Sequence, residues 1–278
     1  MSKSKIFSLF EEFSAEQKAE LEVERTINSD ALLVDGMNTF MRVWSMYPTT
    51  NENGDHIGGY TGFLKSIGHA IRLRKPTRCI IIFDGKGGST RRRKIFPDYK
   101  MKKNVRFRVN RALSLDMDQG EEDNSMKKQI VKLIEYLNML PVTTICMDNV
   151  EADDVIALLS RSYFSGLGKK CTIMSTDKDF LQLVDEDVTV YSPTKRTVYT
   201  PEKVLHEYGI HPSNFLLYRT IDGDRGDNID GMKGVGEKKL KTAFPEFAND
   251  KKLNINDLLQ ISEKKQKEMP LYKNFLKE

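Results

Sequence analysis

The run Cys79-Ile80-Ile81-Ile82-Phe83-Asp84-Gly85 is a short, unbroken apolar stretch that ends in an aspartate and a glycine. A run of this length, rich in β-branched residues and followed by a turn signal, is typical of a strand buried on both faces. Ala31-Leu32-Leu33-Val34 followed by Asp35-Gly36 repeats the pattern. Val142–Cys146 and Cys171–Met174 are two further apolar runs that lead into acidic segments. The sequence therefore predicts four strands, the first two of them buried.

Segments with helical spacing of apolar residues separate these runs. Strands that alternate with helices indicate an α/β fold with a mainly parallel central sheet flanked by helices. We expect each Asp-Gly pair after the first two strands to form a turn. The other elements that the pattern predicts are helices at about 60–74, 149–159, 201–208 and 212–220, and a short edge hairpin of Val188–Tyr191 with Thr197–Tyr199.

Composition excludes membrane-spanning and disordered classes. Of the 278 residues, 30% are charged and 39% are hydrophobic, as in soluble globular proteins. No run approaches the roughly 18 apolar residues of a membrane helix, and Glu11 and Glu12 interrupt the apolar run after Ile6, so no signal-peptide core is present. We therefore expect a cytoplasmic protein without a membrane partner.

The positive charge is concentrated in one segment. The net charge is +4, yet Lys86–Arg111 contains eleven Lys or Arg residues and one acid and so carries +10, which leaves −6 for the rest. A basic segment beside an acidic body predicts binding of a polyanion together with cations. The alternative is a basic helix that only faces solvent.

Acidic side chains follow all four predicted strands, at the sheet edge where α/β proteins bind ligands. These seven carboxylates are Asp35, Asp84, Glu151, Asp153, Asp154, Asp177 and Asp179. Each alone could be a turn or helix-cap residue. Together they would repel one another unless a cation neutralised them or they were protonated. The Gly- and Asp-rich loop Asp222–Gly231 adds two to four further acids.

An all-oxygen set of ligands favours Mg²⁺ or Mn²⁺ over zinc. The three cysteines, Cys79, Cys146 and Cys171, lack zinc spacing and are expected to be buried free thiols. Because one Mg²⁺ takes only one or two protein carboxylates, the number of acids predicts two metal ions and in-line phosphoryl displacement. After the acidic loop, Gly234-Val235-Gly236 opens a lysine-bearing helix where backbone amides could approach a phosphate.

From about residue 30 onward, five ordered blocks resemble the 5′-nuclease (flap endonuclease) family, especially its bacteriophage 5′-exonuclease and phage RNase H branch, akin to the 5′-nuclease domain of bacterial DNA polymerase I. The blocks are Leu33–Gly36, Phe83–Gly85 with the Arg92–Lys100 run, Glu151–Asp154, Thr176–Leu183 and Gly223–Ile229. The resemblance implies a PIN-like nuclease core, a helical arch and a C-terminal helix-hairpin-helix region. It implies cleavage of DNA or RNA at 5′ ends or flaps, with primer or flap removal in replication.

The resemblance also assigns roles to individual residues. It implies a first metal cluster of Asp35, Asp84, Glu151, Asp153 and Asp154, and a second of Asp177, Asp179, Asp224 and Asp227. Two Mg²⁺ would bind there, with Mn²⁺ as a substitute. Arg92 and Lys100 would contact the scissile phosphate as catalytic residues, and Tyr99 would stack near the terminal nucleotide. The other expected substrate contacts are Arg91, Arg93, Lys102, Lys103, Gly234 and Gly236, with a possible K⁺ at the glycine loop.

The expected organisation is an N-terminal extension over 1–29, a nuclease core over 30–200 with a basic arch at about 86–125, and a helical region over 201–278. We expect a monomer that binds DNA or an RNA-DNA hybrid, in the host cytoplasm if its origin is a phage. The extension could contact replication proteins. The alternatives are a PIN-type single-stranded ribonuclease, which would not explain the late acidic loop, and a non-catalytic nucleic-acid binding protein, which would not explain the complete set of acids.

Overall fold

A computed structural model describes residues 30–101 and 118–276 of the chain. Its strands are β1 Ala31–Asp35, β2 Arg78–Asp84, β3 Thr143–Met147, β4 Cys171–Met174, β5 Val188–Ser192 and β6 Thr197–Tyr199. They form a six-stranded sheet in the order β3-β2-β1-β4-β5-β6. The first five strands are parallel, and β6 runs antiparallel to β5 at one edge. The predicted mainly parallel sheet with an edge hairpin is confirmed.

Helices occupy most of the remaining described chain. They are α1 Gly36–Met46, α2 Gly58–Arg74, α3 Thr90–Ile95, α4 Gln119–Asn138, α5 Ala152–Leu158, α6 Pro201–Tyr208, α7 Pro212–Asp222, α8 Glu237–Ala243, α9 Ile255–Lys265 and α10 Pro270–Phe275. A π-helical turn, Leu159–Phe164, continues α5, and a 3₁₀ turn, Lys178–Leu183, follows β4. Among the described helices, none has the length and apolar character needed to cross a membrane.

Both faces of the sheet are covered, which explains the unbroken apolar strands. Because successive strand residues point to opposite faces, Leu32 and Val34 pack in one apolar cluster with Phe40 of α1 and Leu133 of α4. Leu33 belongs to a second cluster on the other face. That second cluster extends as far as α10, so the C-terminal helices share a core with the sheet. The domain boundary at residue 200 stays a prediction.

The expected turn at Asp35-Gly36 is wrong, because β1 passes directly into α1. Asp35 caps this helix by accepting a hydrogen bond from the Asn38 backbone N–H at 3.2 Å. A Cβ on Gly36 would lie 2.6 Å from the Phe83 ring, so close packing rather than a turn requires glycine here. After β2 the expected turn does form, and a Cβ on Gly85 would lie 1.7 Å from the Met147 carbonyl oxygen.

The prediction of three buried thiols is wrong for Cys146. This cysteine lies on β3, the edge strand next to β2 in the sheet that the described residues form, and it is exposed. Cys79 and Cys171 are buried as expected, and burial raises their pKa values to about 11 and about 12. Leu158, which lies in the predicted helix at about 149–159, is 61% exposed at the end of α5.

Several predicted features lie outside the described residues. These are the N-terminal extension over 1–29, the arch between residues 102 and 117, and the expected substrate contacts Lys102 and Lys103. The described ends of the arch segment are the short helix α3 and the start of α4. Asp118 caps α4, accepting from the Glu121 backbone N–H at 2.9 Å while Glu121 accepts from the Asp118 N–H.

Candidate active site

The strand ends bring four aspartates together at one edge of the sheet. Asp35 ends β1 and Asp84 ends the neighbouring strand β2, while Asp177 follows β4 on the other side of β1. Asp84 accepts a hydrogen bond at 2.9 Å from the backbone N–H of Ala152 and so fixes the start of α5. Helix α5 carries Asp153, which lies within electrostatic reach of the other three aspartates. This is the edge where the strand order places a ligand crevice.

Burial and mutual repulsion perturb these carboxylates. Burial raises the pKa of Asp153 to about 7, and the charges of Asp35 and Asp177 add to the increase. Burial likewise raises the pKa of Asp35 to about 6, although a hydrogen bond from the Ser175 hydroxyl at 2.9 Å opposes the shift. The pKa of Asp177 is also raised, mainly by burial. The edge therefore holds negative charge that is costly without a cation.

Two basic side chains predicted as catalytic form ion pairs with the acids at the start of α5. The Arg92 guanidinium bonds to both oxygens of Asp154 at 2.8 and 3.0 Å and also contacts Glu151. Lys100 Nζ lies 2.9 Å from Glu151 Oε1. Burial alone would lower the pKa of Lys100, but the hydrogen bond to Glu151 and the charges of Asp227 and Glu151 raise it above its usual value. Lys100 is therefore a permanent cation within the site.

Tyr99 lies between these two cations. Its hydroxyl donates to Glu151 at 3.0 Å, and Arg92 and Lys100 lie 5.9 and 5.1 Å from its ring centre. The side chain is 5% exposed. In this arrangement the ring supports Glu151 and the two cations, as expected for cation–π packing. Its stacking on a nucleotide stays a prediction.

A second acidic group surrounds Arg219, a residue that the sequence analysis missed. Arg219 Nε lies 2.6 Å from Asp179 Oδ1, and its Nη2 lies 2.7 Å from Asp224 Oδ2. Its Nη1 donates to the Gly223 carbonyl at 3.1 Å. Burial opposes the charge of Arg219, but these carboxylates raise its pKa overall. The sequence signal that could have indicated this role is the position of Arg219 in the last turn of α7, just before the acidic loop.

The two predicted metal clusters are adjacent in space, since Asp177 interacts electrostatically with acids of both clusters. Its pKa responds to Asp179 and Asp224, and its charge acts on Asp35 and Asp153. Asp227 lies beside Lys100 and Tyr99, and burial raises its pKa. All nine predicted acids therefore lie in one continuous acidic region. Their division into two metal sites stays a prediction.

The residues fit hard divalent cations in the chemistry of their donors. Asp35, Asp84, Asp153 and Asp177 form no ion pair with any residue that the structure describes, and burial raises the pKa of three of them. Carboxylate oxygens are the ligands that Mg²⁺ and Mn²⁺ prefer. Within 30–101 and 118–276, no three His, Cys, Asp or Glu side chains are already arranged to hold a metal. Arg92, Lys100 and Arg219 hold the surrounding acids instead.

An open cleft of about 830 Å³ lies over these acids. Its lining combines carboxylates such as Asp153 and Asp179 with apolar side chains, including Phe96 of the basic segment and Ile229 of the acidic loop. Ile95 and Phe96 are 81% and 40% exposed. A cleft with charged and apolar walls suits a ligand that has both phosphates and flat rings.

The remaining predicted contacts lie around the same region or at the glycine loop. Arg91 and Arg93 are exposed on α3, and Arg93 Nε donates to the Tyr99 carbonyl at 3.2 Å. Gly234 has φ +75, and neither Gly234 nor Gly236 would place a Cβ within 4 Å of a neighbouring atom in the described part of the chain. Their backbone is therefore open to an approaching ligand, while phosphate and K⁺ binding there stay predictions.

A parallel α/β sheet with an acidic crevice at its carboxyl edge and arginine and lysine beside the acids defines a nuclease-type domain. A family model described as the N-terminal resolvase-like domain of 5′-3′ exonuclease matches residues 30–209. The 5′-3′ exonuclease of Aquifex aeolicus is 30% identical over 239 residues, which are 86% of this chain and 75% of that protein. The chain belongs to the 5′-3′ exonuclease family and is a nuclease hydrolase.

Other relatives agree with this assignment. DNA polymerase I of Mycobacterium tuberculosis is 32% identical over 234 residues, covering 81% of this chain and 24% of the polymerase. Among solved structures, zinc-bound T5 5′-exonuclease covers 88% of this chain and 83% of its own, with a TM-score of 0.67 and 20% identity. The bacteriophage T5 D15 flap endonuclease, solved with DNA and metal ions, has a TM-score of 0.65, 21% identity and coverage of 89% and 87%. These structures share the fold of this chain.

Proposed function

We propose that this protein is a structure-specific 5′ nuclease that uses two divalent metal ions to hydrolyse DNA or RNA near a 5′ end or flap. In replication it would remove primers or flaps. The observation that carries the proposal is one open cleft lined by Arg92 and by five of the nine carboxylates, Asp153, Asp154, Asp177, Asp179 and Asp227. The other four acids and Lys100 lie beside this cleft, within electrostatic or hydrogen-bond reach of these residues. The acids provide sites for metal ions, and the two cations provide contacts for a phosphate.

The metal requirement rests on four acids that form no ion pair with a described residue. Asp35, Asp84, Asp153 and Asp177 would form the centre of the metal-binding set, with Glu151, Asp154, Asp179, Asp224 and Asp227 around it. When bound, two Mg²⁺ or Mn²⁺ ions supply the positive charge that activates water and stabilises the attacking and leaving oxygens of a phosphodiester. The metal ions in the T5 structures support this assignment.

Arg92 and Lys100 would bind the scissile phosphate. Both already lie beside Glu151, the acid that precedes α5, and Lys100 also lies near Asp227. Charge-assisted hydrogen bonds from these donors would stabilise the extra negative charge of the transition state. Tyr99 would hold both cations in place through its buried ring and its hydroxyl. Ile95 and Phe96, which are exposed at the cleft, would contact an unpaired base.

The substrate class follows from the basic segment and the relatives. The T5 D15 flap endonuclease and the catalytic core of Rad2 were each solved with DNA. We infer that the duplex part of the substrate lies against the glycine loop at Gly234 and Gly236, with K⁺ as a possible ligand. Arg91 and Arg93 would contact the backbone of the strand near the cleft. The chain would act as a monomer in the cytoplasm.

The deciding experiment incubates the purified chain with a 5′-flap DNA, an RNA-DNA hybrid and a single-stranded RNA, in Mg²⁺ and in EDTA. We expect metal-dependent cleavage of the flap and the hybrid. Cleavage of single-stranded RNA alone would instead indicate a PIN-type ribonuclease. Binding without cleavage of any substrate would contradict the proposal and indicate a binding protein.

Two variants test the assigned roles. Asp154→Asn should abolish Mg²⁺-dependent flap cleavage and leave binding largely intact, because the metal set loses a charged ligand. Lys100→Ala should slow single-turnover cleavage by roughly 100-fold, the usual effect of removing one donor from a developing anion, while metal affinity remains unchanged. Normal cleavage by either variant would remove that residue from the site. Asp123→Asn, an exposed change on α4, is the matched control.

A further inference from the structure

The basic segment and the late acidic loop are joined by a pair of hydrogen bonds. The Lys100 backbone N–H donates to the Asp227 carbonyl at 3.0 Å. The side-chain amide of Asn228 donates in the opposite direction, to the Asp98 carbonyl at 3.1 Å. These two segments are 130 residues apart in the chain. The pair therefore fixes the position of the segment that carries Lys100 relative to the loop that carries Asp227.

Lys100 and Asn228 both have a left-handed backbone conformation, which is unfavourable for most residues other than glycine. Lys100 has φ +53, a left-handed conformation that is unfavourable for a lysine, and Asn228 has φ +63. Asparagine tolerates this conformation better than most residues. The Asp98 carbonyl that Asn228 binds also accepts the Met101 N–H at 3.0 Å, which closes the turn containing Lys100. Asn228 therefore binds the turn that holds Lys100 in its unfavourable conformation.

The other side of Asn228 is itself held in place. The backbone N–H groups of Asp224 and Ile229 donate to each other's carbonyls at 2.9 and 2.8 Å. The Asp224 carboxylate in turn lies 2.7 Å from Arg219. These hydrogen bonds close the loop on both sides of Asn228, so they fix the position of the asparagine amide.

We propose that Asn228 is a positioning residue for Lys100. By holding the Asp98–Met101 turn, it keeps the Lys100 ammonium within hydrogen-bond distance of Glu151. The proposal rests on the proposed nuclease function, in which Lys100 contacts the scissile phosphate. Asn228 does not touch the reacting atoms and acts through Lys100 alone.

Two substitutions remove the amide without straining the backbone. Asn228→Gly keeps the left-handed conformation, and Asn228→Asp keeps the size but has no N–H to donate. Lys75→Gly is the matched control, because Lys75 also has a positive φ, +46, and lies at the end of α2. Hydrogen exchange of the Lys100 and Met101 amides, measured in EDTA, should be about tenfold faster in both Asn228 variants, as the loss of one hydrogen bond permits.

The same variants are then compared in single-turnover cleavage of a 5′-flap DNA with Mg²⁺. Asn228→Gly should reduce the cleavage rate by about tenfold, with flap affinity and melting temperature close to those of Lys75→Gly. In a Lys100→Ala background, Asn228→Gly should cause no additional loss. If Asn228 had only a structural role, its substitution should still lower the cleavage rate when Lys100 is absent.

Unchanged exchange at Lys100 and Met101 in both variants would overturn the proposed hold on the turn. Faster exchange with an unchanged cleavage rate, or an equal loss in the Lys100→Ala background, would overturn the positioning role. A wild-type chain that leaves the flap intact would refute the nuclease function and with it any role of Asn228 in cleavage. The exchange result would still decide whether Asn228 holds the turn.

Discussion

Asp153→Asn should make the metal-free protein more stable at pH 8, although it removes a proposed metal ligand. Burial and the neighbouring acids raise the pKa of Asp153 from 3.8 to about 7 in the folded protein. Each unit of pKa difference corresponds to about 1.36 kcal/mol, so the ionised carboxylate costs on the order of 4 kcal/mol of folding free energy. Asparagine is neutral and nearly the same size, and it avoids this cost.

The sign of the pH dependence follows from which state binds the proton more tightly. Because the folded pKa is the higher one, the folded state holds the proton more tightly between pH 4 and pH 7. Wild-type stability therefore falls as the pH rises through this window, and the penalty is complete above about pH 7. At pH 5 the advantage of Asp153→Asn should shrink to less than half of its value at pH 8.

The assay is urea unfolding of both proteins in EDTA at pH 5 and pH 8, followed by a repeat with Mg²⁺. Magnesium should stabilise the wild type more than the variant, since a cation that binds only the folded state adds to its stability. Asp123→Asn, which changes an exposed acid on α4, controls for the general loss of negative charge. Equal stability of wild type and Asp153→Asn at pH 8 in EDTA would refute the reasoning.

Three further outcomes are expected. Arg219→Met should lower the free energy of unfolding in EDTA by about 2 to 3 kcal/mol in urea titrations, because three acids, Asp179, Asp222 and Asp224, lose a partner that is 19% exposed. Arg219→Lys, which keeps the charge, should lose less. Gly223→Ala should lower the melting temperature and reduce the free energy of unfolding by roughly 1 to 3 kcal/mol. The φ of Gly223 is +75, and the new Cβ would lie 2.2 Å from the backbone nitrogen of Gly231. Gly166→Ala, which has open space around it, is the comparison. A thiol reagent should label Cys146 alone in the native protein and the two buried cysteines only in denaturant; fast labelling of all three without denaturant would contradict the described burial.

Much of the fold could be predicted from the sequence because the central strands are buried on both faces, as β1 and β4 are along their whole lengths. Runs such as Cys79–Phe83 carry an apolar pattern that few other elements would produce, and the sheet follows from how they alternate with helices. The acids were predictable for the same reason, since the carboxyl ends of parallel strands meet at one edge. The resemblance to a family added roles that no spacing could supply.

Contacts between segments far apart in the chain could not be predicted from local patterns. Arg219 lies in a helix whose apolar spacing gives no sign that it faces Asp179, 40 residues earlier. The bond from Asn228 to Asp98 depends on two left-handed residues, which leave only weak signals in the sequence. The exposure of Cys146 depended on strand order, since the same apolar run would be buried at the centre of the sheet.

The spread of the acidic residues along the chain has a consequence for the newly made protein. Asp35 precedes Asp224 by 189 residues in the chain (224 minus 35), so it is synthesised well before the late acidic loop. A ribosome that stalls before Arg219 releases a chain with both a basic segment and the first acids, but with no late loop to complete them. Such a fragment would bind nucleic acid through its basic segment and lack Asp224 and Asp227 of the proposed active site. If cleavage needs both acidic groups, as proposed, it can begin only after the loop Asp222–Gly231 has been synthesised.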